Sequence, residues 1–158
     1  MAVSPSKNKI NDIIFLSYNS TGFNAQRADF ISDLTNVCGK EKCFISVQEH
    51  FIMERNLSKI AGLMSNDVIV YNIAAFKSND KIKRGRGKGG LSQIWPKCID
   101  QYVSRIPIKN TKRVQACLIN FPKTRILWIN SYFPSDSGAI DFDDTELRLS
   151  LIHISEPT

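Results

Sequence analysis

"FISVQEHFI", residues 44–52, is an apolar run that ends on three polar side chains, Gln48, Glu49 and His50, before it turns apolar again. Phe, Ile and Val suit a pleated, buried surface, so "CFISVQE" reads as a covered strand whose carboxyl end comes to the surface at Glu49. A carboxylate there either faces solvent without further role or begins a site, and the other strand ends bear on which. "IIFLSYN", residues 13–19, is a second such run that stops at the turn-prone "NSTGFN" and closes on Asn19. If the two strands are parallel neighbours, Asn19 and Glu49 emerge at one edge of the sheet, where open α/β sheets place their sites. Tyr132 stands at the end of a third run, "WINSYFP", where apolar residues again give way to proline and polar side chains. Asn, Glu and Tyr at three strand ends form a candidate cluster without yet specifying a reaction.

Around these runs the periodicity alternates between helix and strand. In "AQRADFISDLTNVCGK", residues 25–40, Ala28, Ile31, Leu34 and Cys38 recur at helical spacing, with Gly39 as a stop. "ERNLSKIAGLMSN" places Leu57, Ile60, Leu63 and Met64 on one face of another helix. Four strand-like runs follow, "DVIVYNIAAF", "GLSQIWP", "RVQACLINF" and "TRILWINSYFP", the last two close enough for a hairpin, so part of the sheet is expected to be antiparallel. Their weak alternation suits sheets covered on both faces. The pattern predicts an α/β or α+β sandwich rather than a single exposed sheet, with no internal repeat.

The 158 residues, 42% hydrophobic, suffice for one domain with a core. No segment approaches the roughly 18 apolar residues of a membrane span, and the polar opening "MAVSPSKNK" has no apolar stretch behind it, so the expectation is an intracellular protein, nuclear or cytoplasmic, with no membrane partner. Cys38, Cys43, Cys98 and Cys117 include no C-x-x-C pair and only His50 and His153 accompany them, which argues against zinc and for reduced, mostly buried thiols. The net charge of +6 is concentrated in "KSNDKIKRGRGKGG", residues 77–90, where Lys77, Lys81, Lys83, Arg84, Arg86 and Lys88 face only Asp80. Such a run is either a solvated insert or a clamp on an anionic backbone.

Four segments in order, "FLSYNSTGFN", "FISVQEH", "GRGKGGLSQIWP" and "ILWINSYFP", resemble the endonuclease/exonuclease/phosphatase family, closest to the apurinic-type endonuclease domain that opens the polyproteins of non-LTR retrotransposons. The resemblance implies a deoxyribonuclease-I-like α/β (α+β) sandwich, two packed mixed β-sheets flanked by helices and incomplete at its carboxyl end, that hydrolyses phosphodiesters with Mg²⁺, or Mn²⁺ in its place. It makes Glu49 the metal-binding glutamate, Asn19 the residue that orients metal and phosphate, and Tyr132 the tyrosine that hydrogen-bonds the scissile phosphate. On the clamp reading of the basic run, Lys83, Arg84, Arg86 and Lys88 would contact the DNA backbone, while Gly89 and Gly90 match the family's glycines that begin a strand near the site. Gln48 is expected to support the turn. His50 is read as a surface residue or one bracing the site from behind, because the family's catalytic histidine lies later in the chain. The family's N-x-N is altered here, with Thr21 at the third position. The partner implied is DNA, with a reverse transcriptase domain downstream. Two other readings share these motifs: a superfamily phosphatase acting on a phosphorylated small molecule or lipid, and a catalytically dead nucleic-acid-binding relic.

The end of the chain reads differently. "LSLIHISEPT", residues 149–158, resembles a transposase-based sequencing adapter translated in frame. The expected organisation is a flexible leader over 1–10, the amino-terminal portion of the endonuclease domain over 11–148, and a non-native tail over 149–158. The family's later aspartate and histidine motifs would fall beyond residue 148.

Overall fold

The computed structural model describes residues 12–77 and 87–133. Strand β1, Ile14–Asn19, leads through a capped turn into helix α1, Ala25–Cys38. Asn24 caps this helix, its side chain accepting the Arg27 N–H at 3.0 Å, and Gly39 ends it at φ +96°. Strand β2, Cys43–Gln48, is followed by a single 3₁₀ turn and helix α2, Ser58–Leu63. Then come β3 (Val68–Ile73), β4 (Leu91–Pro96), a second 3₁₀ segment, β5 (Val103–Ile106), β6 (Val114–Phe121) and β7 (Thr124–Ser131).

These strands build two sheets. The first has the order β1-β2-β4-β3 and is mixed; the second, β5-β6-β7, is antiparallel. Strands β1 and β2 run parallel with Asn19 opposite Gln48, so the two strand ends do open at one edge. Strands β6 and β7 form the expected hairpin, closed by Pro122 and Lys123, with Phe121 opposite Thr124. The sandwich predicted from the periodicity is the observed fold.

Two cores hold it. On the helix side of the first sheet, Ala28 and Ile31 of α1 pack with Cys43, Ile45, Val47, Ile94 and Met64. Between the sheets, Phe44, Trp95, Ile99, Cys117, Ile119 and Trp128 form the second cluster, with the Phe44 and Trp128 rings edge to face at 5.4 Å. Alternate residues of β2 therefore serve different cores, which is why that strand is buried on both faces and shows so little alternation.

Several local expectations need correction. Leu63 is 44% exposed rather than part of the buried face, because α2 has only six residues and Leu63 is its last. In α1 it is Thr35 that is buried beside Ile31, its hydroxyl donating to the Ser32 carbonyl at 2.7 Å, while Leu34 is half-buried. Strand β5 was not expected; "VSRI" is too short and too polar to stand out as a run. The four thiols are free, but Cys98 is exposed and only Cys43 and Cys117 are fully buried.

Among the described residues β1 and β7 are edge strands, and the cleft between them is lined by Phe15, Ser17, Ser46, Trp128 and Asn130. Phe44→Ala, which empties the inter-sheet core at a fully buried position, is expected to cost about 3–5 kcal/mol in urea unfolding followed by circular dichroism. Val37→Ala, at a position 86% exposed, should leave the midpoint within about 0.5 kcal/mol of the parent.

Candidate active site

The parallel pairing of β1 and β2 continues into the loops that follow. The Ser20 N–H and hydroxyl both donate to the Gln48 carbonyl, at 2.9 and 3.0 Å, and the Gly22 N–H donates to the Glu49 carbonyl at 2.7 Å. The Asn19 side-chain oxygen accepts the Thr21 N–H at 3.1 Å, closing an Asx turn that tolerates Thr21 at φ +45°. Thr21 therefore sits in the turn through its backbone, and Asn19 remains exposed at the rim.

Glu49 itself is at φ +57°, a left-handed conformation that costs a non-glycine residue on the order of 1–2 kcal/mol. Phe51 repeats it at φ +57°. The loop is held in this shape from the other side by the glycines that precede β4: the His50 N–H donates to the Gly90 carbonyl at 3.4 Å and the Phe51 N–H to the Gly89 carbonyl at 3.0 Å. Both glycines have positive φ, and a Cβ at Gly90 would lie 2.4 Å from His50 Cε1. Gly89 lies against the Tyr132 ring, whose nearest carbon would be 3.4 Å from a Cβ there.

His50 is fully buried, not a surface residue. Its Nδ1 accepts the Ile52 N–H at 2.9 Å, which leaves Nε2 to donate to the Ile73 carbonyl at 3.0 Å. Both ring nitrogens are thus committed to backbone, and the ring serves as a peg between the Glu49 loop and the end of β3. Burial pushes its pKa down from 6.5 to about 4, against the hydrogen bonds to Ile73 and neighbouring backbone that raise it.

Tyr132 follows β7, and its N–H donates to the Arg113 carbonyl at 2.9 Å. Burial first, and then the nearby Glu49 carboxylate as acceptor and as charge, push its phenol up to about 12, while Arg113 acts in the opposite sense. Tyr132 is therefore a protonated donor at neutral pH. The structure brings Glu49 and Tyr132 into contact across the two sheets and places the Asn19 turn beside the Glu49 backbone.

Arg113 was missed in the sequence, since "KNTKR" has no pattern of its own. The signal was available in the hairpin: Val114 opposite Ser131 puts Arg113 next to Tyr132. Its guanidinium lies over the Phe76 ring, 5.6 Å from the centroid. Phe76 in turn bridges Lys88, exchanging N–H to O bonds of 3.0 and 2.8 Å, so Lys88 is exposed at the same rim. Lys83, Arg84 and Arg86 lie outside the described residues. Among the described residues no group of three His, Cys, Asp or Glu side chains could hold a metal ion.

With this geometry, one solved structure bears comparison. An AP endonuclease, LMAP from Leishmania major, superposes with a TM-score of 0.57 at 16% identity, over 85% of this chain and 43% of that one. The fold is shared with an AP endonuclease. This chain spans less than half the length of that enzyme. No protein-family model matches the chain, and no curated protein matches it in sequence. Among the described residues no helix is long and apolar enough to cross a membrane.

The His50 peg makes stability depend on pH. Its folded pKa lies below its unfolded one, so the unfolded chain binds the proton more readily. The contribution is complete above about pH 6.5 and is lost as pH falls toward 4, by about 3 kcal/mol. Urea midpoints measured from pH 7.5 to 4 should show this fall, and it should be absent from His50→Gln, which starts less stable at pH 7.5.

Proposed function

We propose that this chain carries part of the active site of a Mg²⁺-dependent DNA endonuclease, and that Glu49, Tyr132 and Asn19 act on the scissile phosphate. The observation that carries this reading is that Glu49 and Tyr132, each just past a strand end, come close together at the open ends of β2 and β7, on a fold shared with an AP endonuclease. Mn²⁺ would substitute for Mg²⁺.

The donors present suit such a metal. Mg²⁺ takes oxygen ligands, keeps several waters and commonly uses one or two carboxylates together with substrate phosphate, so the half-buried Glu49 carboxylate and the Asn19 amide oxygen are an adequate protein contribution. When bound, the metal would neutralise charge on the phosphate and its leaving oxygen. The chain's own residues do the rest. The left-handed turn at Glu49 fixes the direction of its Cα–Cβ bond at the open end of β2. Tyr132, held protonated, donates its hydrogen bond to whichever acceptor occupies the site, Glu49 or a phosphate oxygen. Arg113 and Lys88 add positive charge at the same rim, which favours an extended polyanion over a small neutral substrate. His50 is not the general base, because both of its nitrogens are engaged with backbone in the interior.

The finer reading, target-DNA nicking for retrotransposition with a reverse transcriptase downstream, is supported by the order of the four sequence segments. On this reading the family's later aspartate and histidine motifs would complete the chemistry.

In a protein carrying this chain together with those later motifs, Glu49→Gln should lower Mg²⁺-dependent nicking of supercoiled plasmid by at least about 100-fold while moving the unfolding midpoint little. A rate within a fewfold of the parent at saturating Mg²⁺ removes Glu49 from the metal site. Replacing Lys83, Arg84, Arg86 and Lys88 by Ser should weaken binding equally across DNA sequences and flatten its salt dependence, by up to about one logarithmic unit of slope per lost phosphate contact. An unchanged slope returns the segment to a solvated insert.

A further inference from the structure

We infer that Asn130, together with Gln48, is a positioning residue that sets the distance between Glu49 and Tyr132. The inference rests on the reading of that pair as the reacting groups. Asn130 is 1% exposed and cannot reach substrate from the interior of the sandwich. Its side-chain oxygen accepts from Gln48 Nε2 at 2.7 Å, and its Nδ2 donates to the Val47 carbonyl at 3.1 Å, the Ser92 carbonyl at 3.0 Å and Gln115 Oε1 at 3.4 Å. Gln48 Nε2 also donates to the Ser17 hydroxyl at 3.2 Å.

These links fall at telling places in the chain. Asn130 is two residues before Tyr132 on β7, Val47 two and Gln48 one before Glu49 on β2, and Ser17 two before Asn19 on β1. Two side chains therefore tie together the three strands whose next residues form the site. Among the described residues the two sheets share no backbone ladder, so no strand pairing there fixes how far the end of β7 lies from the end of β2. Apolar packing between sheets is tolerant of sliding by a fraction of a side chain, whereas four hydrogen bonds on one buried amide are not. Other inter-sheet hydrogen bonds exist: Trp128 Nε1 donates to Ser46 Oγ at 2.9 Å and Gln93 Nε2 to the Trp128 carbonyl at 3.0 Å. They lie further from the strand ends and serve as the control.

The test is a double-mutant cycle on stability, with no dependence on nuclease activity. Urea unfolding of the full chain is measured for Glu49→Gln, Tyr132→Phe and the pair, first alone, then with Asn130→Ser, with Gln48→Met, and with Trp128→Phe. The Glu49–Tyr132 coupling is expected to be roughly two- to tenfold in the unfolding constant in the parent and with Trp128→Phe, and to vanish with Asn130→Ser and with Gln48→Met. Coupling that survives both of those changes overturns the inference. So does its loss with Trp128→Phe as well, which would make it a general result of loosening the sheets, or its absence from the parent. Plasmid nicking by the longer protein tests the nuclease reading separately.

Discussion

The hydrogen bond between Gln48 and Asn130, 2.7 Å long and 82 residues apart in the chain, is the constraint on which the rest of the structure turns. Each sheet is internally determined by its backbone ladders, and each would be satisfied at many offsets from the other. The side chains between them decide the offset. Toward one end these are apolar, Phe44, Trp95, Ile119 and Trp128; toward the strand ends that carry Glu49 and Tyr132 they are amides. Burying amides is costly unless each is paired, and no buried side-chain nitrogen or oxygen among the described residues lacks a partner. A sandwich with one greasy end and one hydrogen-bonded end has a single register, and the register places a carboxylate against a phenol.

Strain and its compensation are arranged around the same point. Glu49 and Phe51 occupy left-handed backbone where glycine would be easier. Glycine is instead used in the facing segment, at Gly89 and Gly90, where the absence of a Cβ lets two backbones and the His50 ring approach closely. A glycine at 49 would relax the turn but could not present a carboxylate. His50 completes the arrangement from beneath, its ring exchanging hydrogen bonds with Ile52 and Ile73, so the loop is pinned at the cost of keeping an imidazole neutral in the interior. The same burial that makes His50 a good peg makes it unfit for proton transfer.

The proposed site would suit an oxygen-seeking metal that draws much of its coordination from water and phosphate. Structural likeness at 16% identity shows the fold, and the proposed chemistry rests on Glu49, Tyr132 and the basic rim of Arg113 and Lys88.

Much of the fold was legible in the sequence because its signals are local. Strand runs, the α1 periodicity, the Gly39 stop and the Pro122–Lys123 hairpin each depend on a few adjacent residues, and the parallel pairing of β1 with β2 follows from a helix lying between them. The strand-end positions of Asn19, Glu49 and Tyr132 were legible for the same reason. What the sequence could not contain was distance across the sandwich. Gln48 was expected to support the turn and is also a bridge to Asn130, a residue that drew no reading of its own; of the two roles read for His50, surface or bracing, its burial leaves the bracing one. Hydrophobic patterning carries no information on which buried polar group meets which. Local patterning therefore determined the strands and the residues at their ends, while only tertiary packing, through a few directional hydrogen bonds between sheets, decided that those residues meet.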